Sequence, residues 1–248
     1  MRTMNTHLPL PFSLGVLEKD QSGTRPPAVF RSVTWRMSVI HIVTAENDYH
    51  YRAEMEQAYR LRHQVFVKEM GWQNLAKPDS REIDQFDDKY AVHMLCLEDG
   101  KVLGYQRFLA STRAHLLSEV MPQLCEVERP VGAHIWEWTR FCVRSDRREG
   151  GRAVCPITNM LLIAAVEWGL ECGISKFIIE TNPTWIVRMI QLHFQPMPLG
   201  LPRTVDGQEI IAVTVTFDGR TLERLREFRG SRRRVLSASL ERPLLLHA

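Results

Sequence analysis

The sequence predicts a single mixed α/β (α+β) domain, and three observations carry that reading. Residues 92–97 and 102–109 are apolar, strand-length runs flanking Asp99-Gly100, a dipeptide that favours a tight two-residue hairpin turn. Residues 135–143, 154–171 and 176–181 read in turn as strand, strongly apolar helix and strand. With 248 residues, 44% of them hydrophobic, the chain can bury a sizeable core, and no internal repeat divides it. A mixture of antiparallel and strand–helix–strand signals predicts a mixed sheet flanked by helices.

The elements follow in order. Residues 1–36 hold Pro26-Pro27 and keep no sustained period, so they form an extension, either disordered or packed as an arm. The domain proper runs over 37–228, opening with a strand at 39–45. Residues 51–70 predict one amphipathic helix, its stripe passing through Met55, Ala58, Leu61, Val65 and Phe66. Residues 71–86 are polar and irregular, and 112–132 form a loop with a short helical turn near 117–124. After the strand at 176–181, Asn182-Pro183 supplies a cap and a first-turn proline for a helix to about His193. A proline-rich loop over 195–202 leads to a last strand at 210–217 and a polar helix at 221–228. Residues 229–248 form a basic, solvated tail.

Several function classes fall away. Net charge is +3, which demands no nucleic-acid partner, and the arginines near the end lack the interleaved aromatics of a single-strand binder. No run is long and apolar enough to span a membrane. The five cysteines have no CxxC spacing and read as reduced core residues of a cytoplasmic protein. The histidines show no metal-ligand spacing, so no metal is expected.

The stretch Trp136-Glu137-Trp138-Thr139-Arg140-Phe141 reads as a buried strand that nonetheless carries two charges. Alternation places Glu137 and Arg140 on opposite faces. Arg62 and Arg107 also sit among apolar neighbours, and Asp84 and Asp87 offer counter-charges. Such groups form surface charges, a structural ion-pair network, or the wall of a polar pocket. Trp72, following Gly71 in an irregular stretch, can stack on a flat ring. Arg148-x-x-Gly151-x-Ala153 lies between strand and helix, either as an ordinary Gly-Gly turn or as backbone open to a phosphate. The latter pattern resembles the pyrophosphate loop of GNAT acyltransferases.

Taken together, the motifs resemble the acyl-homoserine-lactone synthases, the LuxI-type autoinducer synthases. Arg62-x-x-Val65-Phe66 with Gly71-Trp72 matches the first motif. Glu82-x-Asp84-x-Phe86-Asp87 matches the second, Gly104-x-x-Arg107 the third, and Trp136-Glu137-x-Thr139-Arg140-Phe141 the fourth. Thr139 stands where that family more often has serine. The resemblance implies a GNAT-like twisted sheet with a cleft. It implies S-adenosylmethionine and an acyl thioester, on acyl carrier protein or coenzyme A, as substrates, with no resident cofactor. Glu137 then serves as base, directly or through a water. Arg62 or Arg107 holds the substrate carboxylate, with Asp84 and Asp87 pairing with them or attracting the cationic substrate. Arg140 completes the charged set. Phe66 and Trp72 pack around the adenosine, and Thr139 helps stabilise the thioester oxyanion. Arg148 and Gly151 belong to the loop that cradles the pantetheine arm. Trp138 and Phe141 line the acyl site, where the bulk of Trp138 implies a short, branched or aromatic acyl group. The rival readings are a GNAT enzyme acylating another amine from acyl-coenzyme A, and a non-catalytic binding module.

Overall fold

In the computed structural model, which describes residues 39–148 and 155–237, a twisted mixed sheet separates two helical layers. The strands are β1 (Val39–Val43), β2 (Val92–Glu98), β3 (Lys101–Ala110), β4 (Ile135–Val143), β5 (Lys176–Thr181), β6 (Gln195–Pro198), β7 (Arg203–Val205) and β8 (Gln208–Thr216). Their order across the sheet is β1-β2-β3-β4-β5-β8-β6, with β7 paired to β8. Every pairing is antiparallel except that of β4 with β5. The helices are α1 (Arg52–Arg62), α2 (Leu116–Glu119), α3 (Pro156–Glu171), α4 (Thr184–Gln191) and α5 (Gly219–Arg229).

Alternation along the strands divides the core between the two faces. Ile40, Met94, Leu103, Phe108, Trp136 and Trp138 pack with α3, which is buried along most of its length because apolar residues surround it. Leu95, Val102, Tyr105 and Cys142 face the other way, against Met55, Ala58 and Leu61 of α1. Gly104 has a packing reason: a Cβ there would lie 2.8 Å from Ile157 Cγ2 and 2.9 Å from Leu161 Cδ1 of α3. Asp99 (φ 50°) and Gly100 (φ 72°) make the expected hairpin turn, both with the positive φ that such turns require.

Two irregularities position the site. First, β4 and β5 pair only through Ile135↔Lys176, Trp136↔Phe177 and Glu137↔Ile178, although both strands continue. Beyond Glu137 they part, opening a fork in the middle of the sheet. Second, the β3–β4 register slips: Tyr105 pairs with Cys142, but Arg107 pairs with Thr139. Arg140 and Phe141 therefore bulge opposite Gln106, and Arg140 takes φ 55°. A bulge re-aims side chains, and this one overturns the expectation that Glu137 and Arg140 point to opposite faces: Arg140 joins Arg107 at Asp84.

Other expectations are revised. The helix read over 51–70 is α1 followed by a wide π-helical stretch at His63–Glu69, closed by Met70 N–H donating to Val65 O at 2.9 Å. The proline-rich segment 195–202 contains β6, an edge strand whose two prolines donate nothing to the ladder and so hide it from a pattern reading. The β7–β8 hairpin turns at Asp206 (φ 49°) and Gly207 (φ 78°). The basic tail is anchored at its start. Val235 and Leu236 are buried, Ile40 N–H donates to Val235 O, and Ser237 N–H donates to Ile40 O. Glu167 accepts the amides of Val235 and Leu236 and pairs with Arg226 at 3.1 Å. Residues 1–36, the Gly150-Gly151 turn and residues 238–248 lie outside the described residues.

Candidate active site

Four separate stretches bring the charged residues together on the α1 side of the fork. Arg62 ends α1 where the π-helical stretch begins, wholly buried. Its Nε donates to Glu82 at 2.6 Å, Nη1 and Nη2 to the two oxygens of Asp87 at 2.7 and 2.9 Å, and Nη1 also to Tyr105 Oη at 3.2 Å. Arg107, equally buried on β3, donates to both oxygens of Asp84 at 2.6 and 3.0 Å and stands 2.8 Å from Asp87. Arg140 reaches Glu82 at 3.1 Å and Asp84 at 2.8 Å. Three guanidiniums thus meet three carboxylates, which is how a protein keeps charge inside without a large electrostatic penalty.

The segment 82–87 earns this position through its own backbone. Glu82 N–H donates to Tyr59 O, Asp87 accepts from the Asp84 amide, and Asp84 accepts from the Phe86 amide. Burial alone would raise the Asp87 carboxyl, but the Arg107 and Arg62 charges hold it far below the usual range. Asp84 is lowered too: burial opposes the shift, and the hydrogen bond and charge of Arg107 overcome it, helped by Arg140. His93 Nδ1 sits 2.6 Å from Tyr105 Oη, and burial drives this imidazole down to about 3, so it stays neutral. Asp84 is the carboxylate of the cluster with the most side-chain exposure, 13%. Arg62 and Arg107 are wholly buried and spend most of their N–H groups on protein partners.

Glu137 shares a face with Arg107 but joins a different set. It is fully buried, and its Oε1 accepts from Leu117 N–H at 2.7 Å and His115 Nδ1 at 2.8 Å, while Oε2 accepts from Leu116 N–H at 2.8 Å. These bonds tie the start of α2 to the sheet. His115 Nε2 is buried with no partner. On β5, Glu180 lies against Glu137, and burial first, then the neighbouring Glu137 carboxylate, push it well above the ordinary carboxylate range.

The aromatic residues divide by depth. Phe66 and the half-buried Trp72 stack with ring centroids 5.4 Å apart, and the Arg140 guanidinium lies over Phe66. Trp138 points to the opposite face, stacks on Phe108, meets Phe141 edge-on and donates its indole N–H to Gln106. Thr139 Oγ1 accepts from Arg107 Nε at 3.2 Å, which leaves its hydroxyl proton free to donate elsewhere. Arg148 donates to Val143 O and pairs with Glu69 at 2.7 Å, while Gly151 lies outside the described residues. Sequence reading missed Glu82 as a site member, together with Tyr105, His93, His115 and Glu180. Glu82 stood inside a recognised motif, and Glu180 shares the face of buried Ile178, two residues earlier. Those were the available signals.

A mixed sheet that forks between two parallel strands is a GNAT-like fold. An acyl-CoA N-acyltransferase from Pseudomonas aeruginosa shares the fold at TM-score 0.50 and 15% identity, covering 71% of this chain and 97% of that one. The particular family follows from closer likeness. The autoinducer synthase family model matches residues 46–224. The chain is 38% identical over 191 residues to the isovaleryl-homoserine lactone synthase of Bradyrhizobium diazoefficiens, covering 76% of this chain and 84% of that protein. BjaI, a CoA-dependent acyl-homoserine lactone synthase solved with SAM and isopentyl-CoA, superposes at TM-score 0.75 with 35% identity, over 81% of this chain and 92% of that one. This chain belongs to the autoinducer synthase family and is an acyl-homoserine-lactone synthase. Among the described residues, no helix is long and apolar enough to cross a membrane.

Proposed function

We propose that this enzyme transfers a short, branched acyl group from coenzyme A to the α-amine of S-adenosylmethionine and then closes the homoserine lactone, releasing methylthioadenosine. The observation that carries the reading is the convergence of all four motifs beside the sheet fork. Likeness to BjaI and to the isovaleryl-homoserine lactone synthase favours coenzyme A over acyl carrier protein as the acyl donor.

Each part has a physical task. Asp84, the most open carboxylate, draws the cationic substrate in, and the stacked Phe66 and Trp72 offer a flat surface to its adenine. Arg62, Arg107, Asp87 and Glu82 hold Asp84 and Arg140 in place. Arg140 keeps its side chain 7% exposed and faces the substrate carboxylate, the nucleophile of lactone closure. That closure is an orientation problem, because the carboxylate must lie in line with the carbon bearing the sulfonium. Thr139 O–H and strand amides freed by the fork stabilise the thioester oxyanion. Trp138 and Phe141 limit the depth of the acyl site. Arg148 and the Gly151 loop bind the pantetheine arm and its phosphates. Five free thiols, three of them buried, fit a reducing compartment, and we place the reaction in the cytoplasm.

The test is to incubate the purified protein with S-adenosylmethionine and either isovaleryl-CoA or the same acyl group on acyl carrier protein. The expected result is methylthioadenosine and a lactone of matching mass, with faster turnover from the coenzyme A thioester. Release of free coenzyme A without methylthioadenosine would instead identify an acyltransferase acting on another amine.

A further inference from the structure

Glu137 is the carboxyl to which the family resemblance assigns the amine proton, yet its surroundings leave no direct approach to it. It is wholly buried, and three N–H groups already occupy its oxygens. The neighbouring strand supplies another carboxyl. Glu137 pairs with Ile178 in the parallel β4–β5 ladder, so Glu180, two residues on, projects from the same face just where the strands part. Glu180 is a half-buried residue, while its Oε1 is sealed and receives no hydrogen bond from any donor. Glu180 thus lies beside Glu137, close enough to feel its charge. Two carboxyls in contact repel unless they share a proton. Burial first, then the Glu137 carboxylate, push Glu180 well above the ordinary carboxylate range, against a weaker pull from Arg140.

We propose that Glu180 is a catalytic residue that takes the proton of the attacking amine at the fork and passes its own proton to Glu137. This rests on the acyl-homoserine-lactone synthase reading. The substrate ammonium first loses one proton to water. As the amine nitrogen bonds to the thioester carbonyl carbon, a remaining N–H bond breaks and its electron pair stays on nitrogen. That proton goes to Glu180, and the proton Glu180 already held crosses to Glu137. The C–S bond breaks, and its electron pair leaves on the thiolate of the acyl donor. Glu180 then loses its proton to solvent and recovers the one on Glu137, restoring the pair. Glu137, fixed by His115 and two amides, provides a rigid proton store behind a partly accessible relay.

The experiment compares wild type, Glu180→Gln and Glu180→Asp, following both coenzyme A thiol release and methylthioadenosine formation. Glutamine copies the shape and neutrality of a protonated carboxyl, so E180Q is expected to fold with little change in Tm. Its kcat is expected to fall by about 10²–10⁴-fold, the usual contribution of a positioned acid–base group, with KM for S-adenosylmethionine nearly unchanged. E180D, which keeps a proton-bearing carboxyl, is expected to recover part of the loss. Undiminished kcat in E180Q, with wild type making lactone, overturns the relay and leaves the function standing. Wild type that forms no methylthioadenosine sinks the function, and the relay with it. Should E180Q fail to fold, an infrared pH titration of wild type decides: a carboxyl still protonated at neutral pH supports the pair, and its absence overturns it.

Discussion

Replacing Asp87 by asparagine removes one charge from the centre of the buried cluster while keeping its shape. Asp87 receives two N–H bonds from Arg62 and stands 2.8 Å from Arg107, so asparagine leaves an excess positive charge on two guanidiniums with no access to water. Breaking a buried ion pair by removing one partner costs about 3–5 kcal/mol. In a domain of this size each kcal/mol moves Tm by about 2–4 °C, so D87N is expected to melt on the order of 6–20 °C below wild type at neutral pH. The pH dependence has a definite sign. The folded carboxyl titrates far below its unfolded value, because Arg107 and Arg62 outweigh burial. Its stabilisation is therefore complete above the unfolded value of about 3.9 and fades as pH falls towards the folded one. Calorimetry at pH 7, 5 and 3 should show a constant gap between wild type and D87N at the upper two values and a smaller gap at the lowest. A neutral-pH difference within about 2 °C, the range of an ordinary surface change, would refute the view that these charges stabilise one another.

Two further outcomes follow from packing. Gly104→Ala places a methyl 2.8 Å from Ile157 Cγ2 and 2.9 Å from Leu161 Cδ1, so these side chains must give way; the expected loss is about 1–3 kcal/mol in urea unfolding. Trp138→Ala is expected to move acyl preference towards longer chains and, by emptying a buried aromatic site, to lower stability by about 3–5 kcal/mol, while Trp138→Phe does less of both. Unchanged chain preference in a folded W138A, measured by competition among acyl-CoA donors, would remove Trp138 from the acyl site.

Much of the fold was legible because its signals are local. The Asp99-Gly100 turn, the alternation of 102–109 and the all-round apolar character of 156–171 each state an element without reference to the rest of the chain. The segments that escaped have a common cause. β6 carries prolines that only an edge position tolerates, and the π-helical stretch after Arg62 keeps a helical sequence while changing its turn. The charged set was visible because Arg62 and Arg107 interrupt apolar stripes. Glu82, His115 and Glu180 were not, because each lies in or beside a polar segment, where a charge looks like ordinary surface.

By itself, the sequence determined the element types, the four motifs and the family they indicate, since these depend on residue identity and short spacings. The partners were decided in three dimensions. A one-residue bulge turned Arg140 towards Asp84, and the parting of β4 from β5 left Glu180 beside Glu137 at an opening. Register and strand divergence arise from contacts between segments distant in the chain, and no local pattern encodes which carboxyl finally meets which guanidinium or which other acid.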